Sequence, residues 1–180
     1  FHEGFEIQNE DIIIDVGAHI GTYSIPIATQ IGESGKILAF EPNPKNAMVL
    51  RKNIELNELN NIIVFENAAS SKNQIVKLTL SNDPMLSRIT SSEDEKTVKI
   101  ECIPLDSLIK KLELKKVDWL KIDAEGSEIS VLEGSIEILE KFHPKIIIEV
   151  RKENEKKMFE ILRNYEYNTR YLGGEYFFAE

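Results

Sequence analysis

Residues Asp11 to Pro44, DIIIDVGAHIGTYSIPIATQIGESGKILAFEPNP, constrain the fold more than any other stretch of the chain. Ile12, Ile13, Ile14 and Val16 form a β-branched apolar run without alternation, the pattern of a parallel strand buried on both faces. Gly17 and Gly21 bracket a tight turn. Thr22 or Ser24 is placed to cap a helix whose Ile25, Ile27, Ala28 and Ile31 face the sheet, and Gly32 and Gly35 end it. A second strand, Lys36 to Phe40, finishes in Glu41. That carboxylate lies twenty positions beyond Gly21, where a dinucleotide-type fold holds a ribose.

The turn departs from the phosphate-binding pattern in an informative way. A pyrophosphate turn needs a middle glycine so that backbone can approach the phosphates, and here that position is His19. No Lys or Arg in the turn complements phosphate charge. A ligand without phosphates fits better, and S-adenosylmethionine, with S-adenosylhomocysteine as its product, is such a ligand. Glu41 would accept from its ribose hydroxyls, and its methionine end would lie over Gly17 to Gly21, near the first helix N-terminus.

Downstream, Asn43 caps and Pro44 opens a helix through Asn57, with Ala47, Leu50, Ile54 and Leu56 as its buried side. Ile62 to Phe65 is a third buried strand that ends in Glu66, Asn67 and Ala68. There Glu66 or Asn67 would hydrogen-bond an adenine edge and Ala68 would leave room beside it. From about residue 73 to 103 the alternation breaks. Ile75 to Leu80 and Val98 to Ile103 read as an inserted antiparallel hairpin or flap around a polar stretch in which Met85, Leu86 and Arg88 are candidates to face a substrate. A short helix, Leu105 to Leu112, is capped by Asp106 or Ser107. The buried strand VDWLKI then runs into Asp123, Ala124, Glu125, Gly126, Ser127 and Glu128, followed by one helix carrying Ile129, Leu132, Ile136 and Leu139 on one face. Glu128 is expected to be a helix N-terminal carboxylate favoured by the dipole. KIIIEV ends near Glu149, Met158 to Tyr165 is a helix, and two last strands form a hairpin across Gly173 and Gly174. The repeated strand–helix alternation implies an α/β sandwich of three layers around a mostly parallel sheet.

At 180 residues the chain fits one domain, residues 1–180. Residues 1–10 read as an edge segment leading into the first strand. The chain opens on Phe1 rather than Met, so a preceding segment is expected. The formal charge of −9, without a compensating basic block, disfavours nucleic acid as partner. Cys102 is the only cysteine, which excludes an internal disulfide and a cysteine zinc site. No run of about twenty apolar residues spans a membrane and no secretion signal is visible, which points to the cytoplasm.

In an open α/β sheet, ligands bind outside the carboxyl ends of the strands. Five such ends carry Gly17-Ala18-His19, Glu41, Glu66-Asn67, Asp123-Ala124-Glu125 and Glu149. Lys121 and Asp123 lie two apart on one strand face, so they can pair. The blocks DVGAHIGTYS, AFEPNP, WLKIDAEGSEISVLEG and HPKIIIEV resemble the FkbM-type S-adenosylmethionine-dependent methyltransferases over Asp11 to Val150. That resemblance implies a class I, Rossmann-like methyltransferase sheet of seven strands with the last antiparallel. It implies methyl transfer mainly to hydroxyl oxygens of sugars, polyketides or other small metabolites, so the expected partner is a small-molecule hydroxyl acceptor. It also implies a cofactor site that includes Gly17, Ala18, His19, Gly21 and Glu41, with His19 where Asn is more usual. Asp15, Tyr23, Pro42, Glu66, Asn67, Ala68 and Asp123 complete the expected cofactor contacts.

Methyl transfer to oxygen demands alignment and removal of the hydroxyl proton. Asp123 is the first candidate for that base or for orienting the acceptor, with Glu125, Glu149 and Lys121 behind it. Asp123, Glu125 and Glu149 together are also a candidate Mg²⁺ site. Three rival readings stand beside this one. RNA methylation is suggested because EPNPKNAMVLRKNIELN resembles a block of tRNA guanosine methyltransferases, but DAEG stands where an amino-group methylase would carry an N-P-P-Y-like block. The others are a non-catalytic adenosyl-binding regulatory module and, more weakly, a nicotinamide oxidoreductase.

Overall fold

The structure is a computed structural model that describes residues 6–79, 89–90 and 97–180, the pair 89–90 by backbone alone. In chain order its strands and helices are β1 (Ile12–Val16), α1 (Ser24–Ile31), β2 (Lys36–Phe40), α2 (Pro44–Leu56), β3 (Ile62–Phe65), β4 (Ala68–Ala69), β5 (Gln74–Thr79) and β6 (Ile89–Thr90). Then follow β7 (Thr97–Ile103), α3 (Asp106–Lys111), β8 (Trp119–Ile122), α4 (Glu128–Glu133), α5 (Ile136–Phe142), β9 (Lys145–Glu149), α6 (Glu155–Asn164), β10 (Thr169–Gly173) and β11 (Tyr176–Ala179). Seven strands form the main sheet in the order β10-β11-β9-β8-β1-β2-β3. All pairs among β9, β8, β1, β2 and β3 are parallel, and β11 runs antiparallel between β9 and β10. This is the mostly parallel sheet with a final antiparallel strand that the sequence led us to expect.

Strand alternation divides the core in two. Ile14, Val16, Leu38, Leu120, Ile122, Ile146 and Ile148 pack with residues of α3 to α6. Ile13, Ile37, Ala39, Trp119, Ile147 and Phe178 pack on the other face with Ile27, Ala28 and Ile31 of α1 and Leu50 of α2. Both faces are therefore covered, as the unbroken apolar strands require. Asp15, Lys121 and Glu41 follow the alternation onto the α1–α2 face near the carboxyl ends of the strands, where they are buried.

Several local expectations are corrected. Neither Thr22 nor Ser24 caps α1: its N-cap is Tyr23, without a side-chain cap, and Ser24 Oγ donates to Asp15 Oδ2 at 2.6 Å. Asn43 caps α2 as expected, accepting from Lys45 N at 3.0 Å. Leu56, however, is 67% exposed, and Asn46 takes a buried place instead. The expected single helix after Glu128 is two, α4 and α5, broken at Gly134 and Ser135. An added Cβ on Gly134 would lie 2.0 Å from the Ser70 carbonyl, so the close crossing of another loop dictates the break. Asp106 does not cap its own helix but accepts from Glu137 N and Ile138 N at 3.0 Å, capping α5. Residues 6–10 form no strand, and Ile7 is buried against the α1 face.

The hairpin of β5 and β7 is present, paired from Gln74↔Cys102 to Thr79↔Thr97. It belongs to a second, four-stranded sheet, β4-β7-β5-β6, not expected from sequence. Met85, Leu86 and Arg88 lie outside the described residues. No helix among the described residues is long and apolar enough to cross a membrane.

Candidate active site

The carboxyl ends of β1, β2, β3 and β8 open on one cleft of about 270 Å³. Gly17, Ala18, His19 and Tyr23 line it from the first turn, Glu41 and Pro42 from the second, Asn67 and Ala68 from the third, and Lys121, Asp123 and Glu125 from the fourth. Residues spread along the sequence thus meet at one place. Asp15, Gly21, Glu66 and Glu149 stand outside the lining.

Glu41 anchors the cleft. It is 5% exposed, and its Oε2 accepts from His19 N and its Oε1 from Asn43 N, both at 2.8 Å. Burial raises its proton affinity, while the Asn43 and His19 amides and the Asn46 side chain oppose that rise by favouring the carboxylate. His19 adopts the left-handed conformation, φ 53°, which Asn, Asp and His tolerate better than other side chains. This is a physical reason for His to replace Asn in the turn. Its Nε2 is buried without a hydrogen-bond partner among the described residues, while the residue itself lines the cleft.

The two glycines do different work. A Cβ on Gly17, whose φ is 79°, would lie 1.8 Å from the Asp123 carbonyl, so only glycine lets the turn close against the end of β8. A Cβ on Gly21 would meet Ile25 and Leu50 at 2.8 Å, which makes it a packing residue between α1 and α2. Asp15 is also set back. Its Oδ1 is 3.0 Å from Lys121 Nζ, and both side chains are buried. Lys121 additionally donates to the Gly17 carbonyl at 3.3 Å, reaches Asp123 Oδ2 only at 3.7 Å, and lies 5.1 Å from the Tyr23 ring centre. Glu66 pairs with Arg51 at 3.0 Å on the exposed side of the sheet edge, away from the cleft.

Asp123 is the perturbed carboxyl of the site. Burial, against the pull of Lys121 and aided by Glu149, pushes it up to about 6. A carboxyl raised in the folded state stabilises fully only below its unfolded value, near 4, and loses that contribution as pH rises through 6. Asp123→Asn is therefore expected to gain on the order of 2 kcal/mol at pH 8 and nothing at pH 4. Urea unfolding at the two pH values measures this, and an equal effect at both would refute the assignment.

Glu125, in the left-handed turn after β8, points its carboxylate toward Arg151 at 3.6 Å, and Glu149 hydrogen-bonds Tyr176. Glu125 therefore turns away from Asp123 and Glu149, which are themselves in contact. Among the described residues no three His, Cys, Asp or Glu side chains group as a metal requires, so the candidate Mg²⁺ site is not supported. Glu128 stands in the first turn of α4 as expected, but it is buried, with Oε1 accepting from Gly126 N at 2.6 Å. Among the lining residues that escaped the sequence, Asn46 and Leu78 differ in how legible they were. Asn46 sits one helical turn from Asn43 and Leu50, on the stripe that faces the sheet, which was a legible signal. Leu78 reaches the cleft from the second sheet and left no such trace.

A family model described as Methyltransferase FkbM domain matches residues 15–170. The hexuronic acid methyltransferase AglP of Haloferax volcanii is 28% identical over 146 residues, which are 81% of this chain and 58% of that protein. Methyltransferase sdnD of Sordaria araneosa is 28% identical over 160 residues, 71% of this chain and 61% of its own length. The chain thus spans about three fifths of these curated relatives. Among solved structures, a methyltransferase FkbM from Methylobacillus flagellatus aligns with a TM-score of 0.69 at 18% identity, covering 97% of this chain and 44% of that one. Aeropyrum pernix fibrillarin, solved with natively bound S-adenosyl-L-methionine, aligns at 0.59 and 13% identity, covering 96% and 66%. At these identities the structures share the fold.

Proposed function

The chain belongs to the FkbM methyltransferase family, and from that premise we propose that it transfers the methyl group of S-adenosylmethionine to a hydroxyl oxygen of a sugar or another small metabolite. The observation that carries this reading is Glu41, buried at the end of β2 and held by two backbone amides in a cleft whose only Lys or Arg, among the described residues, is Lys121. Lys121 is committed to Asp15, so among the described residues the cleft offers no free cation to a pyrophosphate. The donor set suits a ligand with a ribose and no phosphate.

Glu41 would accept from the two ribose hydroxyls, its remaining lone pairs facing the cleft. Asn67 would meet the adenine edge, while Ala68 and Leu78 would supply flat apolar walls. The Gly17 to His19 turn would hold the methionine end. S-adenosylmethionine, when bound, supplies a sulfonium-activated methyl group and leaves as S-adenosylhomocysteine. Asp123, which lines the cleft, would take the acceptor's hydroxyl proton. The hexuronic acid methyltransferase among the relatives supports a sugar as acceptor class.

Calorimetry with S-adenosylhomocysteine, with NAD as control, tests the cofactor. Binding of the first and not the second is expected, and a protein that ignores adenosylhomocysteine would end this proposal. Tritiated methyl transfer to a panel of neutral sugars, uronic acids and tRNA tests the acceptor. Label in a sugar is the expected outcome, label in tRNA alone would establish the RNA reading, and binding without any transfer would favour the regulatory module.

A further inference from the structure

Strand register sets three side chains in a row across the carboxyl edge of the sheet. β8 and β9 are parallel with Ile122 opposite Ile148, so the next residues, Asp123 and Glu149, are neighbours. Tyr176 of β11 pairs directly with Glu149. Alternation puts all three on the α1 side, because Ile122, Ile148 and Phe177 pack into the opposite core. Their side chains bond in series, Asp123 to Glu149 and the Tyr176 hydroxyl to Glu149.

Charge around Asp123 is unbalanced. It faces Lys121 on its own strand, Asp15 from β1, Glu149 from β9, Glu125 from the following turn and the hydroxyls of Tyr23 and Tyr176. The one cation is closer to Asp15, 3.0 Å against 3.7 Å. Two carboxyls in hydrogen-bond contact need a proton between them, since like charges at that distance repel. A proton shared between the two carboxyls would relieve that repulsion.

Building on the methyl-transfer reading above, we propose that Asp123 and Glu149 act as one proton acceptor and that Tyr176 is the positioning residue that holds Glu149 against Asp123. Asp123 enters the step as a carboxylate. The acceptor's O–H bond breaks, its electron pair stays on the oxygen, and the proton passes to Asp123 and is shared with Glu149. A pair that delocalises the proton is a stronger base than a lone solvated carboxylate. Tyr176 donates to Glu149 and keeps it from turning outward to solvent.

The test needs no acceptor. The intact chain, labelled with ¹³C at the aspartate carboxyls, is titrated by NMR from pH 4 to 9, and the Asp123 signal is identified by its loss in Asp123→Asn. Glu149→Gln removes the like charge, so the Asp123 midpoint is expected to fall by roughly one pH unit or more. Tyr176→Phe removes a donor that favours the ionised pair, so the proton becomes harder to remove and the midpoint moves up. A role in packing alone would predict neither shift, and a midpoint unchanged in both isosteric variants would overturn the proposal. Adenosylhomocysteine binding, measured on each variant and expected to stay within about twofold, separates the outcomes. An unchanged midpoint with binding intact ends the shared-proton idea and leaves methyl transfer standing. Loss of binding in the parent chain ends the methyl-transfer reading and, with it, the catalytic role of the pair.

Discussion

Glu41→Ala is expected to weaken adenosylhomocysteine binding roughly a hundredfold or more, the largest effect of any single change in the cleft. Two ribose hydroxyls donating to one buried carboxylate are charge-assisted bonds of about 1.5–3 kcal/mol each. The substitution also leaves His19 N and Asn43 N without their acceptor, so the first turn and the start of α2 lose their link. Glu41→Gln separates the two consequences. Its amide oxygen can keep one backbone bond but loses the charge, so affinity is expected to fall about tenfold or more while thermal stability stays nearer the parent. Calorimetry and a melting curve on both variants decide the matter. Full affinity in Glu41→Ala would place the ribose elsewhere.

Glu41 was legible from sequence because everything that places it is local. A β-branched strand, a glycine turn and a helix bring the next strand back alongside the first, and the acid follows where the strand ends. Glu66 shows where that logic stops. It too ends a buried-looking strand, but β3 is the sheet edge, and Arg51 from α2 draws its carboxylate outward. The second sheet was illegible because β4 is two alanines, too short for any periodicity, paired with β7 more than thirty residues later. Asp106 satisfies the local rule for a cap yet bonds to amides 31 and 32 residues away. Tyr176 looked like a hairpin residue; its place beside Glu149 depends on antiparallel register that only the folded sheet defines.

Lys121 was grouped with the catalytic candidates on sequence, and the structure gives it a different weight. Its pairing with Asp123 is the looser contact, while Asp15, one strand over at the register position opposite it, takes the ammonium at 3.0 Å. Burial opposes that charge, but Asp15 and Asp123 outweigh it and hold the lysine above its ordinary range. Lys121→Met would take the cation from the buried Asp15 side chain and leave it the Ser24 hydroxyl as a donor. Breaking a buried pair in this way costs about 3–5 kcal/mol, which for a domain of this size lowers the melting temperature by roughly 6–20 °C. A lysine raised in the folded state stabilises below its unfolded value and loses that contribution only as pH climbs through the folded one. The deficit of the variant should therefore persist to pH 9 and narrow above about 10.5. The double variant Asp15→Asn/Lys121→Met removes both charges and is expected to recover most of the loss. A single-variant cost under about 1 kcal/mol would mean that the pair behaves as if solvated. Because Lys121 also holds the Gly17 carbonyl, the same variant is expected to lower adenosylhomocysteine affinity beyond what unfolding explains, and the double variant is not expected to restore it. Stability recovered without affinity would show that the lysine's second task is to fix the turn, through a charge-assisted hydrogen bond to the Gly17 carbonyl that neither methionine nor asparagine replaces.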